Sequence, residues 1–194
     1  MWQWIGTNEK QIKIVFAVIA ALYIGIEYRF KVQQDRISRA ISYAEKHEQE
    51  KILEARERLR KFWLTDPVRE LIARLKSSLP PEKRAEHYHK EMVELLRSSD
   101  LITEVDSLLN FYRSVALCVD IAHCDGKTIC RYFFNEIQDF RENYRALLDE
   151  WANELGDLAP GEIKYLVEST CSQQFKLYCK NLQRSPYCSS LASQ

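Results

Sequence analysis

An all-α chain, with a single N-terminal transmembrane helix followed by a multi-helix bundle, is the fold that three features of these 194 residues predict. Gly and Pro number only five each, so few positions interrupt a helix, while Leu, Ala, Glu, Lys and Arg are abundant. Apolar residues recur at intervals of three and four, the period of a helix face, and no alternating strand pattern occurs. The third feature is the run Ile14–Ile26, thirteen residues without a charge, closed by Lys13 on one side and Glu27 on the other.

That run is the first element. A hydrocarbon core about 30 Å thick takes roughly 20 helical residues, and the borders lengthen the run toward that figure. Trp2, Trp4, Ile5 and Ile12 extend it on one side and Tyr28, Phe30 and Val32 on the other, with Lys13 and Arg29 long enough to carry their charges to an interface. The expected span is about residues 11–30, with Ile14, Phe16, Ile19, Leu22 and Ile26 as anchor residues inside an N-terminal segment 1–32. No small-x-small site follows Ile26, so the anchor is read as retained. Arg29, Lys31, Arg36 and Arg39 outnumber Lys10 and Lys13. This places the N-terminus outside and the helical domain, 33–185, in the cytoplasm, as a single-pass protein of the inner membrane. In that reducing compartment the six cysteines remain thiols.

No Gly or Pro breaks Tyr28–Trp63, so the first helix continues, with Ile37, Ile41, Ala44, Ile52, Ala55, Leu59 and Phe62 on one face and the charged patch 45–51 as a bend. At Thr65-Asp66-Pro67 a new helix starts, because Asp66 can cap it and Pro67 suits its first turn. Val68, Leu71, Ile72 and Leu75 form its buried stripe, and Pro80-Pro81 ends it. The next helix runs from Glu82 to Ser98 with Ala85, Tyr88, Met92, Leu95 and Leu96 inward. One from Thr103 to Ala122 follows, burying Val105, Leu108, Leu109, Tyr112 and Val115 and closed by a left-handed glycine at Asp125-Gly126. A long helix is expected over 128–155, with Ile129, Phe133, Ile137, Phe140, Tyr144 and Leu147 on one side, and a last one over 162–183 with Ile163, Leu166, Cys171 and Phe175. Residues 186–194 read as a flexible tail.

The chain carries 28 basic and 28 acidic side chains. That balance, with no one-sided basic stripe, excludes a protein built mainly to grip nucleic acid. Arg56, Arg58, Arg60 and Lys61 interleave with Glu54 and Glu57, the pattern of a solvated face with intrahelical ion pairs. There is no Gly-rich phosphate loop and no nucleophile with a base in a recognisable order, so no catalytic residue and no cofactor is assigned.

Two clusters hold metal-ligating residue types. Glu86-x-x-His89 and Asp120-x-x-His123 each set a carboxylate and an imidazole one turn apart, as in bundles that bind two metal ions. His123-Cys124 lies near Cys130. Against both stands the simpler reading of the cysteines as small buried hydrophobes and of the tetrapeptides as chance in a Glu-rich chain, and no metal site is assigned. His47, inside a run of charges, reads as a surface residue. The aromatic surplus around Tyr132 and Phe134, with Asn110 and Tyr112 on the preceding helix, marks a candidate interaction surface. Asn110, set into an apolar stretch, is expected to be buried with a hydrogen-bond partner.

Arg39-Ala40-Ile41, Glu54-Ala55-Arg56, Leu109-Asn110-Phe111-Tyr112 with Ser114-Val115-Ala116, and then Asp125-Gly126 and Tyr132-Phe133 follow the apolar first helix in order. In this the chain resembles, over about residues 14–150, an uncharacterised bacterial family of membrane-anchored helical proteins, a domain of unknown function. The resemblance implies one N-terminal anchor and a helical cytoplasmic domain, with no activity or cofactor to carry over. The function expected is a membrane-tethered helical interaction or regulatory protein without evident catalysis, whose partners are the lipid bilayer and a protein or a second copy of itself. An accessory or effector component of a stress or phage-defence system, and a metal-dependent enzyme with a helical-bundle site, are the alternatives.

Overall fold

A computed structural model describes residues 2–47, 49–78, 80–154 and 159–181, and among these the side chains of 13–47, 49–78, 80, 83–84, 87–154 and 160–176. Their regular structure is entirely helical, as the periodicity predicts: α1 (Trp2–His47), α2 (Glu50–Trp63), α3 (Asp66–Ser78), α4 (Pro81–Ser98), α5 (Ile102–Asp120), α6 (Gly126–Asn143), α7 (Arg145–Glu154), α8 (Ala159–Tyr165), a π-helical turn (Leu166–Thr170) and α9 (Ser172–Asn181). Helices α5 and α6 form the centre. The first packs against α2 and α8, the second against the C-terminal half of α1 and the π turn, and α3 pairs with α4, which leans on α7. Phe133, Leu109, Ile129, Ile137, Met92, Leu96, Leu147 and Ile163 are all but sealed from solvent in a continuous core.

Among the described residues no helix is long and apolar enough to cross a membrane. Thirteen apolar residues at 1.5 Å each cover about 20 Å, two thirds of a hydrocarbon core, and Lys13, Glu27 and Arg29 close in at the two ends. The expected transmembrane span and single-pass inner-membrane placement are corrected on that finding. Ile14, Phe16, Ile19, Leu22 and Ile26 nevertheless stand 55–68% exposed on α1.

The charged patch after residue 44 does break the first helix, for Gln49 is extended before α2 begins. Two other boundaries differ from expectation. The helix expected over 128–155 is interrupted at Tyr144, whose φ is −111°. Its ring packs 5.1 Å from Phe140 and its hydroxyl accepts a 2.9 Å bond from Trp63 Nε1, so tertiary contacts turn the backbone where no Gly or Pro signals a stop. The helix expected over 162–183 is divided by the π turn, and its last residues, like the tail, fall outside the described residues.

The turn between α5 and α6 is closed differently from the expected left-handed glycine. Ala122 takes the positive φ of 55°, and the Cys118 carbonyl accepts from the amides of His123 and Cys124, both at 2.9 Å. Gly126 instead opens α6 at a close approach, since a Cβ there would meet Thr170 Cγ2 at 2.7 Å. Asp125 caps α6 through the Thr128 amide (2.8 Å) and hydroxyl (2.7 Å). It also ties the turn to α1, its Oδ1 accepting from Gln33 Nε2 at 2.8 Å and its amide donating to the Arg36 carbonyl at 3.2 Å.

Partial burial pushes the Asp125 carboxyl up, but the Thr128 and Gln33 hydrogen bonds and the nearby Lys127 together hold it below the ordinary carboxylate value. A depressed folded value contributes stability that is present above the unfolded value, near 4, and is lost as the pH falls through the folded one. Asp125→Ala should therefore lower the unfolding free energy by about 1–2 kcal/mol at pH 7. In urea melts its deficit relative to the parent should shrink below about pH 4.

The cysteines are the further correction. Cys118 is bonded to Cys124 and Cys130 to Cys171, so these four are half-cystines and not the expected thiols. Cys179 and Cys188 lie outside the residues whose side chains are described.

Candidate functional site

The polar centre of the domain lies where α1, α2 and α6 meet, and its key residue is one the sequence places on the surface. His47 ends α1 only 3% exposed. Its ring stacks on Phe111 (5.1 Å between centroids), meets Phe133 edge-on (5.3 Å) and lies near Tyr112 (6.0 Å). Arg56 of α2 sets Nη1 3.3 Å from His47 Nδ1, and its Nη2 donates to Glu136 Oε1 of α6 at 3.2 Å. Glu136 Oε2 lies 3.1 Å from His47 Nε2. A guanidinium carries donors only, so the nitrogen facing it must accept, and the imidazole proton is assigned to Nε2, which lies in close contact with the carboxylate but outside hydrogen-bonding geometry to it. Both ring nitrogens therefore lie against charged side chains, Nδ1 against Arg56 and Nε2 against Glu136. The arrangement pins three helices together and leaves His47 no lone pair for a metal or for a substrate proton.

Beside this pin an open groove of about 560 Å³ runs between α2, α5 and α6, lined by Leu59, Trp63, Tyr112, Asp139, Phe140 and Tyr144 among others. Burial pushes the Tyr144 hydroxyl up to about 12, against the opposing bond from Trp63. Burial, helped by Glu136, raises Tyr112 further still. Asp139 is raised as well, by burial and then by Glu142. The groove thus offers an apolar floor edged by tyrosine hydroxyls that keep their protons at neutral pH and by one carboxyl, Asp139, raised above its ordinary value.

The charges of α2 do more than the expected intrahelical pairing. Lys61 does pair with Glu57 along the helix at 3.6 Å. Arg56 and Arg58, however, reach across to Glu136 of α6 and Glu104 of α5, and Glu104 is itself buried. A spacing of three and four residues cannot reveal which charges are turned toward a neighbouring helix.

The residues singled out for metal binding are not brought together. Cys124 and Cys130 are committed to disulfides, and Asp120 and His123 stand exposed at the end of α5. His89 is half-buried on α4, where burial and then Arg145 hold it below the ordinary imidazole value against the pull of Asp149. The Glu86 side chain lies outside the described ones. Among the described residues no three His, Cys, Asp or Glu converge as metal ligands.

The expected interaction surface divides in the same way. Tyr112 and Phe134 are core residues, at 3% and 6% exposure, whereas Tyr132 is half exposed and lines a groove with Ile37 and Ile41 of α1. Asn110 is exposed, which corrects the expectation of a buried carboxamide. Asn110→Ala should leave the unfolding free energy within about 0.5 kcal/mol of the parent in a thermal melt. The larger surface feature is one the sequence reading assigned to lipid: the apolar length of α1 from Ile14 to Phe30, in which Tyr23, Ile24, Tyr28 and Phe30 are as exposed as the residues named above. No family model, curated protein or solved structure matches the chain.

Proposed function

We propose that this chain is a helical interaction protein, without catalysis, that offers the Ile14–Phe30 stretch of α1 to a protein partner while the bundle holds the base of that helix rigid. One observation carries the reading: a contiguous helical surface of large apolar side chains, each more than half exposed. Patches of that size mark interaction sites, because leaving them in water forgoes about 25 cal/mol for every Å² of apolar area that a partner would cover. The supporting frame is the α1–α6 contact, where Gln33, Arg36 and His47 fasten the lower helix to the turn and to the polar pin. A helix fixed at one end and apolar beyond it presents a defined face at little ordering cost.

The test is site-specific photo-crosslinking in the expressing cell, with the photoreactive residue at Ile19 or Tyr23 and, as a control, at the exposed Lys61. Protein adducts are expected from the two α1 positions and not from the control. Adducts equally strong at Lys61, or none from α1, would sink the reading.

A further inference from the structure

Along α1 a single stripe runs without a break: Phe16, Ile19, Tyr23, Ile26, Phe30, Gln33, Ile37, Ala40, Ala44 and His47, at alternating steps of three and four. Steps of this kind, averaging 3.5 residues, form the seam along which helices pair. The lower half has its partner within the chain. Gln33 reaches Asp125, Ala40 is fully buried, and His47 is buried in the pin, all against α6 and the turn before it. The upper half, from Phe16 to Phe30, continues the same face past the start of α6, and its five apolar members stand 55–68% exposed.

We infer that the upper seam pairs antiparallel with the same stretch of a second copy of this chain. This rests on the proposed interaction role and names its partner. The charges at the ends of the apolar run select that occupant and that direction. Lys13 and Glu27 lie two heptads apart, on one flank of the seam. With Phe16 opposite Ile26 and Ile19 opposite Tyr23 of the second copy, Lys13 of each chain comes beside Glu27 of the other, twice over by symmetry. In a parallel pair the two residues lie at opposite ends. Covering the five seam residues on both copies removes on the order of 1,200 Å² from water, the lower part of the range for stable pairs.

Sedimentation equilibrium of the full chain tests the inference. The parent should show about twice the 22.9 kDa chain mass. Ile19→Glu, on the seam, should give the monomer mass, and Ile24→Glu, more exposed still but off the seam, should leave the pair intact. Circular dichroism should match the parent in both, since neither residue is part of the bundle core. Lys13→Glu should weaken pairing about tenfold by turning two attractions into repulsions, and adding Glu27→Lys should restore it. A monomeric parent, equal effects of Ile19→Glu and Ile24→Glu, or indifference to the charge swap would overturn the inference. So would a monomer that floats with phosphatidylcholine vesicles, which would assign the stripe to a lipid surface. A monomeric parent whose in-cell adducts from Ile19 match another protein's mass would overturn the self-pairing alone and leave the interaction role standing.

Discussion

Replacing Cys130 and Cys171 together by alanine should lower the unfolding free energy by about 4 kcal/mol. The bond joins residues 41 apart, tying α6 to the end of the π turn, so its loss frees a long loop in the unfolded chain. The corresponding double replacement at Cys118 and Cys124, only six residues apart, should cost nearer 2 kcal/mol. Urea melts of the two variants beside the parent measure the difference. Dithiothreitol should shift the parent midpoint down toward the combined loss, and a parent whose midpoint ignores the reductant would show that these bonds do not hold the fold.

Phe133→Ala should cost about 3–5 kcal/mol, the range for deleting a buried phenyl ring. Phe133 is 2% exposed and packs its ring edge on His47 and, 5.8 Å away, on Phe111, so the hole opens beside the polar pin as well as in the core. Loss of that packing lets water reach a contact whose strength depends on its exclusion. A double-mutant cycle with Arg56→Met should therefore show a coupling of about 0.5–1 kcal/mol or more. Additive losses, measured in the same urea melts, would mean that the aromatic box and the ion pair act independently.

Local signals carried the elements whose ends are written in turn chemistry. Thr65-Asp66-Pro67 and Pro80-Pro81 bound α3, and the apolar stripe of α5 runs close to the limits expected for it. They failed where a distant contact decides the backbone. Tyr144 ends α6 because its ring and hydroxyl are held by Phe140 and Trp63, the latter 81 residues away in sequence. His47 sits in a run of charged residues, and only the packing of α1 against α6 turns its imidazole inward while Glu45, Lys46 and Glu50 stay in water. The disulfide pairs were likewise illegible, since spacings of six and forty-one describe the chain path and not the distance between sulfurs. Asn110 misled in the other direction, because an apolar stretch of sequence wraps round a helix and one of its sides still faces solvent.

The length of α1 also governs how the molecule moves through water. At 1.5 Å per residue the part ahead of Val32 extends about 45 Å beyond the bundle, more than the width of a small domain. Such a shape has a friction coefficient well above that of a sphere of equal mass. It therefore travels through a gel-filtration column ahead of its true weight, so that one chain elutes where two compact ones would. Elution volume and the diffusion coefficient alone then confuse elongation with pairing, and a mass obtained from light scattering or sedimentation at equilibrium does not.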